Sequence, residues 1–152
     1  MGLLASPASS AAEAATDRRR EAETVGPDTH WRWRLRMAER IAAQLDPRRF
    51  GVKGLYVFGS TKNATAGPAS DIDLLIHFAG SAEQKRDLDA WLEGWSLCLD
   101  ELNYLRTGAR SDGLLDSHFV TDDDIARQTS FAAKIGAVTD AARPLRIGSL
   151  QA

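Results

Sequence analysis

Between Trp31 and Leu45 the apolar positions are Trp31, Leu35, Ala38, Ile41, Ala42 and Leu45. Steps of three and four residues describe one face of an α-helix, whereas a strand would place an apolar residue at every second position. Asp28 and Thr29 stand where a helix cap is expected, and Pro47 ends the run. The opening Trp31–Arg36 also alternates as a strand would, but the later spacing is helical. The period then changes. "VKGLYVFG", from Val52 to Gly59, is short, rich in β-branched and aromatic residues, and closed by glycine, so it reads as a strand. "DIDLLIHF", from Asp71 to Phe78, reads as a second strand. The polar stretch from Ser60 to Ser70 between them, with Gly67-Pro68, holds a short helical turn and a loop.

Ser81 and Gln84 form a capping box, and Leu88, Trp91, Trp95, Cys98, Leu102 and Leu105 follow as one stripe of a long helix that Gly108 closes. Gly94 in its middle weakens it by about 1 kcal/mol. "GLLDSHFV", from Gly113 to Val120, reads as a third strand, and Thr121 caps a helix of about 12 residues. "RPLRI" near the end can add an edge strand. Residues 1–26 are rich in Ala, Ser, Glu and Arg without an aromatic residue, and read as a mobile N-terminal tail. No internal repeat is present. The order helix, strand, strand, helix, strand, helix predicts an α+β domain over residues 27–152, a small mixed β-sheet with helices packed on one face.

Composition narrows the partners little. The 152 residues carry a net charge of −2, and 43 % of them are hydrophobic, which suits one domain with a real core. Charge is uneven: Asp17–Arg49 holds nine basic against six acidic residues. That front segment reads as a solvated helix face, with an acidic partner or nucleic acid as the alternative. A single cysteine, Cys98, excludes an intrachain disulfide and a cysteine zinc cluster, and points to a reducing, cytoplasmic setting. No stretch approaches the roughly 20 apolar residues of a membrane span. In the first residues the arginines follow the apolar part, so they do not make a signal peptide. Neither a Walker-type glycine loop nor a G-x-G-x-x-G is present, which argues against a P-loop NTPase and a dinucleotide fold.

The unusual feature is Asp71-Ile72-Asp73. Residues two apart on a strand project to the same side, roughly 6.6 Å apart, so Ile72 and Leu74 face the core while both carboxylates share the other face. Two bare charges at that distance repel by about 2.5 kcal/mol at an effective dielectric near 20. A salt-bridge network, water at an exposed edge, or a divalent metal can each relieve that repulsion. Upstream, Gly59 allows a sharp turn, and Ser60 can open a short helix whose amides face a phosphate.

Gly59-Ser60, a linker, then Ser70-Asp71-Ile72-Asp73-Leu74 resembles the signature of the DNA polymerase β-like nucleotidyltransferase superfamily, in particular its minimal bacterial domains. The resemblance covers about 20 residues closely and residues 28–135 in element order. It implies a metal-dependent transferase that moves a nucleoside monophosphate from an NTP, ATP among them, to an acceptor hydroxyl on protein, RNA or a small molecule. Two Mg²⁺ ions, with Mn²⁺ as the alternative, would be held by Asp71, Asp73 and a third carboxylate. For the third, Asp116 inside an apolar strand is preferred over Asp122, Asp123 and Asp124, whose place in a first helical turn already explains them, and over the loop residue Asp112. Gly59, Ser60 and Ser70 would bind the nucleotide. Many minimal members have an Arg-Gly pair after the Gly-Ser; "TKNATAG" stands here, which makes Lys62 the candidate for the triphosphate tail. A chain of this size leaves little room for acceptor recognition, so a homodimer or a helical partner chain is implied. A catalytically silent nucleotide- or partner-binding module, antitoxin-like, is the alternative.

Other residues have two readings each. His77 shares a strand face with Asp71 and Asp73, and His118 shares one with Asp116. Either can carry a proton, although such histidines are more often structural. Trp91 and Trp95 read as core, with base stacking as the sharper alternative; Trp31 and Trp33, flanked by arginines, could form a partner surface.

Overall fold

A computed structural model describes residues 27–150; the expected N-terminal tail, residues 1–26, lies outside the described residues. Helix α1 runs Pro27–Gln44 and begins at the proline itself, one residue ahead of the expected caps. A single turn, α2 (Pro47–Phe50), is capped by Asp46, whose side chain accepts from the N–H groups of Arg48 and Arg49. Strand β1 (Val52–Phe58) leads into one turn of helix, α3 (Gly59–Lys62). Strand β2 (Ile72–Phe78) follows after the Gly67–Ser70 loop. Then come α4 (Ala82–Thr107), β3 (Leu115–Val120), α5 (Asp122–Arg127), a 3-10 turn (Ser130–Lys134) and a short strand β4 (Arg143–Leu145).

The four strands lie in the order β3-β2-β1-β4. β1 pairs antiparallel with β2 and with β4, and β2 pairs parallel with β3, for which α4 is the crossover. The sheet is therefore mixed and the class α+β, and "RPLRI" supplies the edge strand.

Alternation on β2 sets both faces. Ile72, Leu74 and Ile76 are fully buried and pack with Leu55 and Val57 against Ala38 and Ile41 of α1, Leu45 just after it, and Leu88, Leu92 and Leu99 of α4. Each such side chain contributes about 1.5–3 kcal/mol. The opposite face carries a smaller cluster, Phe58, Leu75 and Val120 with Ala132 and Ala142, roofed by α5 and the 3-10 turn. Both long helices thus sit on one face, and the other is covered only in part. That leaves Asp73 and Asp116 off the main core.

Two expectations change in detail. The buried stripe of α4 is Leu88, Leu92, Leu99 and Asn103, not the stripe through Cys98, Leu102 and Leu105, all three of which are exposed. Trp91 and Trp95 lie between the two stripes and pack on the core edge, Trp91 with its ring 5.4 Å from that of Phe50. The helix after Thr121 has six residues rather than twelve. Its capping box forms, but Gln128 turns left-handed and closes it through its N–H to the carbonyls of Asp124 and Ile125. Among the described residues no helix is long and apolar enough to cross a membrane.

Candidate metal and nucleotide site

β1 and β2 run antiparallel so that Phe58 faces Asp73, and β2 and β3 run parallel so that Asp73 faces Asp116. The residue before the glycine corner, Asp73 and Asp116 therefore meet across three strands at one end of the sheet. Immediately after Phe58, Gly59 takes φ +67, and a Cβ placed there would fall on Asp73 Oδ2. Glycine is required twice over, for the left-handed backbone and for the close approach of the carboxylate.

Asp73, Asp116 and His118 each present one ligand atom, and these atoms lie within 4.8 Å of one another. His118 Nε2 is 3.2 Å from Asp116 Oδ2. The His118 ring is fixed between Phe131, centroid 4.3 Å away, and Phe58, 5.5 Å away. Burial pushes the Asp73 carboxyl up to about 6, with the charge of Asp116 and a hydrogen bond to it adding to the shift and His118 opposing it. Two carboxylates and an imidazole at this separation suit a divalent cation: the oxygens fit Mg²⁺, and the full set fits Mn²⁺.

Asp71 lies one turn of the pleat before Asp73, exposed and outside that group. Its carboxyl is raised by partial burial and by Asp116, and Arg34 acts in the opposite sense. Arg34, which sequence reasoning placed on a solvated face, is buried completely beside the loop that precedes Asp71. Its Nε donates to Ser70 O at 2.9 Å, and its Nη2 donates to Pro68 O and to Asn103 Oδ1. Asn103 Nδ2 donates to Pro68 O at 2.8 Å. Two helices thereby hold the loop that delivers Asp71. The signal was available: Arg34, Ala38 and Ile41 lie on one stripe of α1. Trp33 is likewise buried rather than part of a partner surface, with the Arg34 and Arg106 guanidinium groups over its ring.

The remaining sequence candidates fall as follows. Ser70 Oγ accepts from Gly67 N–H at 2.9 Å and so closes its own loop. Lys62 Nζ lies 3.0 Å from Asp140. Asp122 is taken by Lys53 and by His77, whose Nε2 is 2.6 Å away, at the far end of β2. Asp123 pairs with Arg127, and Asp124 completes the capping box of α5. Asp112 stays in an exposed loop. His118 was weighed as a proton carrier but not as a ligand; its place two residues after Asp116 was the signal.

No curated protein and no solved structure matches the chain significantly. The sequence model of one family does, over residues 35–131, a span that contains Gly59, Ser60 and the whole Asp73–Asp116–His118 group. The family uses divalent metals for transfer from nucleoside triphosphates, which the carboxylate–imidazole group suits. By that match, over well more than half its length, this chain belongs to the nucleotidyltransferase domain family.

Proposed function

We propose that the chain moves a nucleoside monophosphate from an NTP to an acceptor hydroxyl and releases pyrophosphate. The observation that carries this is the meeting of Asp73, Asp116 and His118 against a corner that only glycine can occupy. Asp71, Asp73 and Asp116 would hold Mg²⁺ or Mn²⁺, with His118 as a further donor to Mn²⁺. Bound there, divalent metal supplies charge neutralisation at the phosphates and lowers the pKa of the acceptor hydroxyl. The backbone N–H groups at Gly59 and Ser60 bind the β- and γ-phosphates, and Lys62 meets the tail. Ser70, held by Arg34, orders the loop that presents Asp71. The acceptor oxygen forms its bond to the α-phosphorus as the bond to the pyrophosphate oxygen breaks, and Asp116 takes the acceptor proton. Positioning and electrostatics provide most of the rate. A triphosphate substrate and a lone Cys98 both accord with the cytoplasm.

A second reading has one observation of its own. Leu97, Leu102, Tyr104 and Leu105 are exposed along α4, and such a row favours a partner, either a second copy or a helical chain. In that reading the fold binds nucleotide or partner without turnover. Incubation with α-labelled ATP, GTP, CTP or UTP, Mg²⁺ and cell lysate separates the two. Transfer of label by the wild type, abolished in Asp73→Asn, is the expected result. Nucleotide binding without transfer would favour the silent module.

A further inference from the structure

Lys62 ends α3, just beyond the glycine corner, and Lys134 ends the 3-10 turn. Their ammonium groups meet on one carboxylate, Lys62 at 3.0 Å from Asp140 Oδ1 and Lys134 at 3.2 Å from Oδ2. Asn63 Nδ2 also donates to Oδ1, at 3.3 Å. Asp140 itself takes φ +50, a left-handed backbone that aspartate adopts more readily than most non-glycine residues. Two positive charges and an amide therefore converge on a single exposed anion, and a net positive charge remains.

Where this cluster sits gives it meaning. Lys134 Nζ lies 5.7 Å from the centre of the Phe58 ring, and the same ring stacks 5.5 Å from His118. Phe58 is the strand partner of Asp73 and the residue before Gly59. The cationic cluster thus borders the carboxylate–imidazole group on the same face of the sheet. Ammonium and amide donors that converge on a carboxylate can equally donate to a phosphate oxygen. Exposed ion pairs add little to stability, so a competing anion can displace Asp140 from the two lysines at small cost.

We propose that Lys62, Asn63 and Lys134 form the seat of the terminal phosphates of a nucleoside triphosphate, and that Asp140 fills this seat as an internal anion which the polyphosphate displaces. The identity of the ligand rests on the nucleotidyl-transfer reading, but the seat is testable without metal or turnover. Calorimetry with inorganic tripolyphosphate in EDTA measures it on the full chain. Saturable binding to the wild type is expected, about tenfold weaker in Lys134→Met and close to wild type in Lys134→Arg. Asp140→Asn is expected to bind severalfold more tightly, because the competing anion is gone; this variant carries the test should Lys134→Met fail to fold by circular dichroism. No binding to the wild type, unchanged binding in Lys134→Met, or weaker binding in Asp140→Asn would overturn the proposal. The expected variant pattern without any label transfer from NTPs would leave the seat standing and remove only the transferase reading.

Discussion

Asp73 sits where burial and the proposed metal binding pull in opposite directions. Half-covered by the sheet and facing Asp116, its carboxyl is pushed up to about 6. Such a group stabilises the fold fully only below its unfolded value, near 3.9, and that contribution is lost as pH rises through about 6. Asp73→Asn removes the penalty. Thermal melts in EDTA between pH 4 and 8 are therefore expected to nearly coincide for wild type and variant at the acid end, and to separate by a few degrees in favour of the variant above pH 6. A difference independent of pH would contradict this. The same deprotonation must precede metal binding, so affinity for Mn²⁺ is expected to rise across that interval. A site that loses stability to gain affinity is the usual compromise at functional carboxylates. Which residues share a face was readable from alternation alone: Asp73 and His77 on β2, Asp116 and His118 on β3. Which of them meet was not, because that depends on the β2–β3 register, which sets Asp73 opposite Asp116 and leaves His77 at the other end with Asp122.

At the scale of elements, α1 and α4 position the site through the buried Arg34–Asn103 pair that grips the Gly67–Ser70 loop. Arg34→Met strands Asn103 Oδ1 and Ser70 O without their donor, and is expected to cost about 3 kcal/mol in urea denaturation. It is also expected to weaken Mn²⁺ binding, since Asp71 loses its countercharge. Arg34→Lys would recover little, because a single ammonium cannot span the carbonyls that the guanidinium fork reaches. Gly94 is the opposite case. It lies inside α4, and a Cβ there would meet nothing within 4 Å. Gly94→Ala is expected to raise stability by about 1 kcal/mol in the same assay, with metal affinity unchanged. The capping box at Ser81, the glycine stop at Gly108 and the helix cap at Thr121 were all legible, since caps are local chemistry. The buried side of α4 was not. Leu88, Leu92 and Leu99 compete with an equally apolar stripe through Cys98, Leu102 and Leu105, and only the curvature and approach of the sheet decide between them. The length of α5 was hidden for a similar reason: it ends on the left-handed Gln128, a residue with no strong preference for that backbone.

For the whole molecule, the arrangement divides labour between the two faces of one small sheet. The helix-covered face supplies the main core, from Val52 and Leu55 through Ile76 to Leu99. The other face is thinly roofed by α5 and the 3-10 turn, and that leaves room for acidic ligands, a fixed imidazole and the Lys62–Asp140–Lys134 cluster to lie along its open end. The central claim is that this end binds divalent metal and triphosphate together. Calorimetric titration of Mn²⁺ into the full chain with a non-hydrolysable ATP analogue, at pH 7.5, tests it most directly. Beyond the heat of mixing metal and analogue without protein, the account predicts saturating Mn²⁺ binding that is tighter with the analogue present than without it and that weakens by more than about tenfold in Asp73→Asn. A well-folded wild type whose Mn²⁺ binding is not strengthened by this analogue or by the matching GTP, CTP and UTP analogues, or an Asp73→Asn variant that binds as tightly as the wild type, would contradict it.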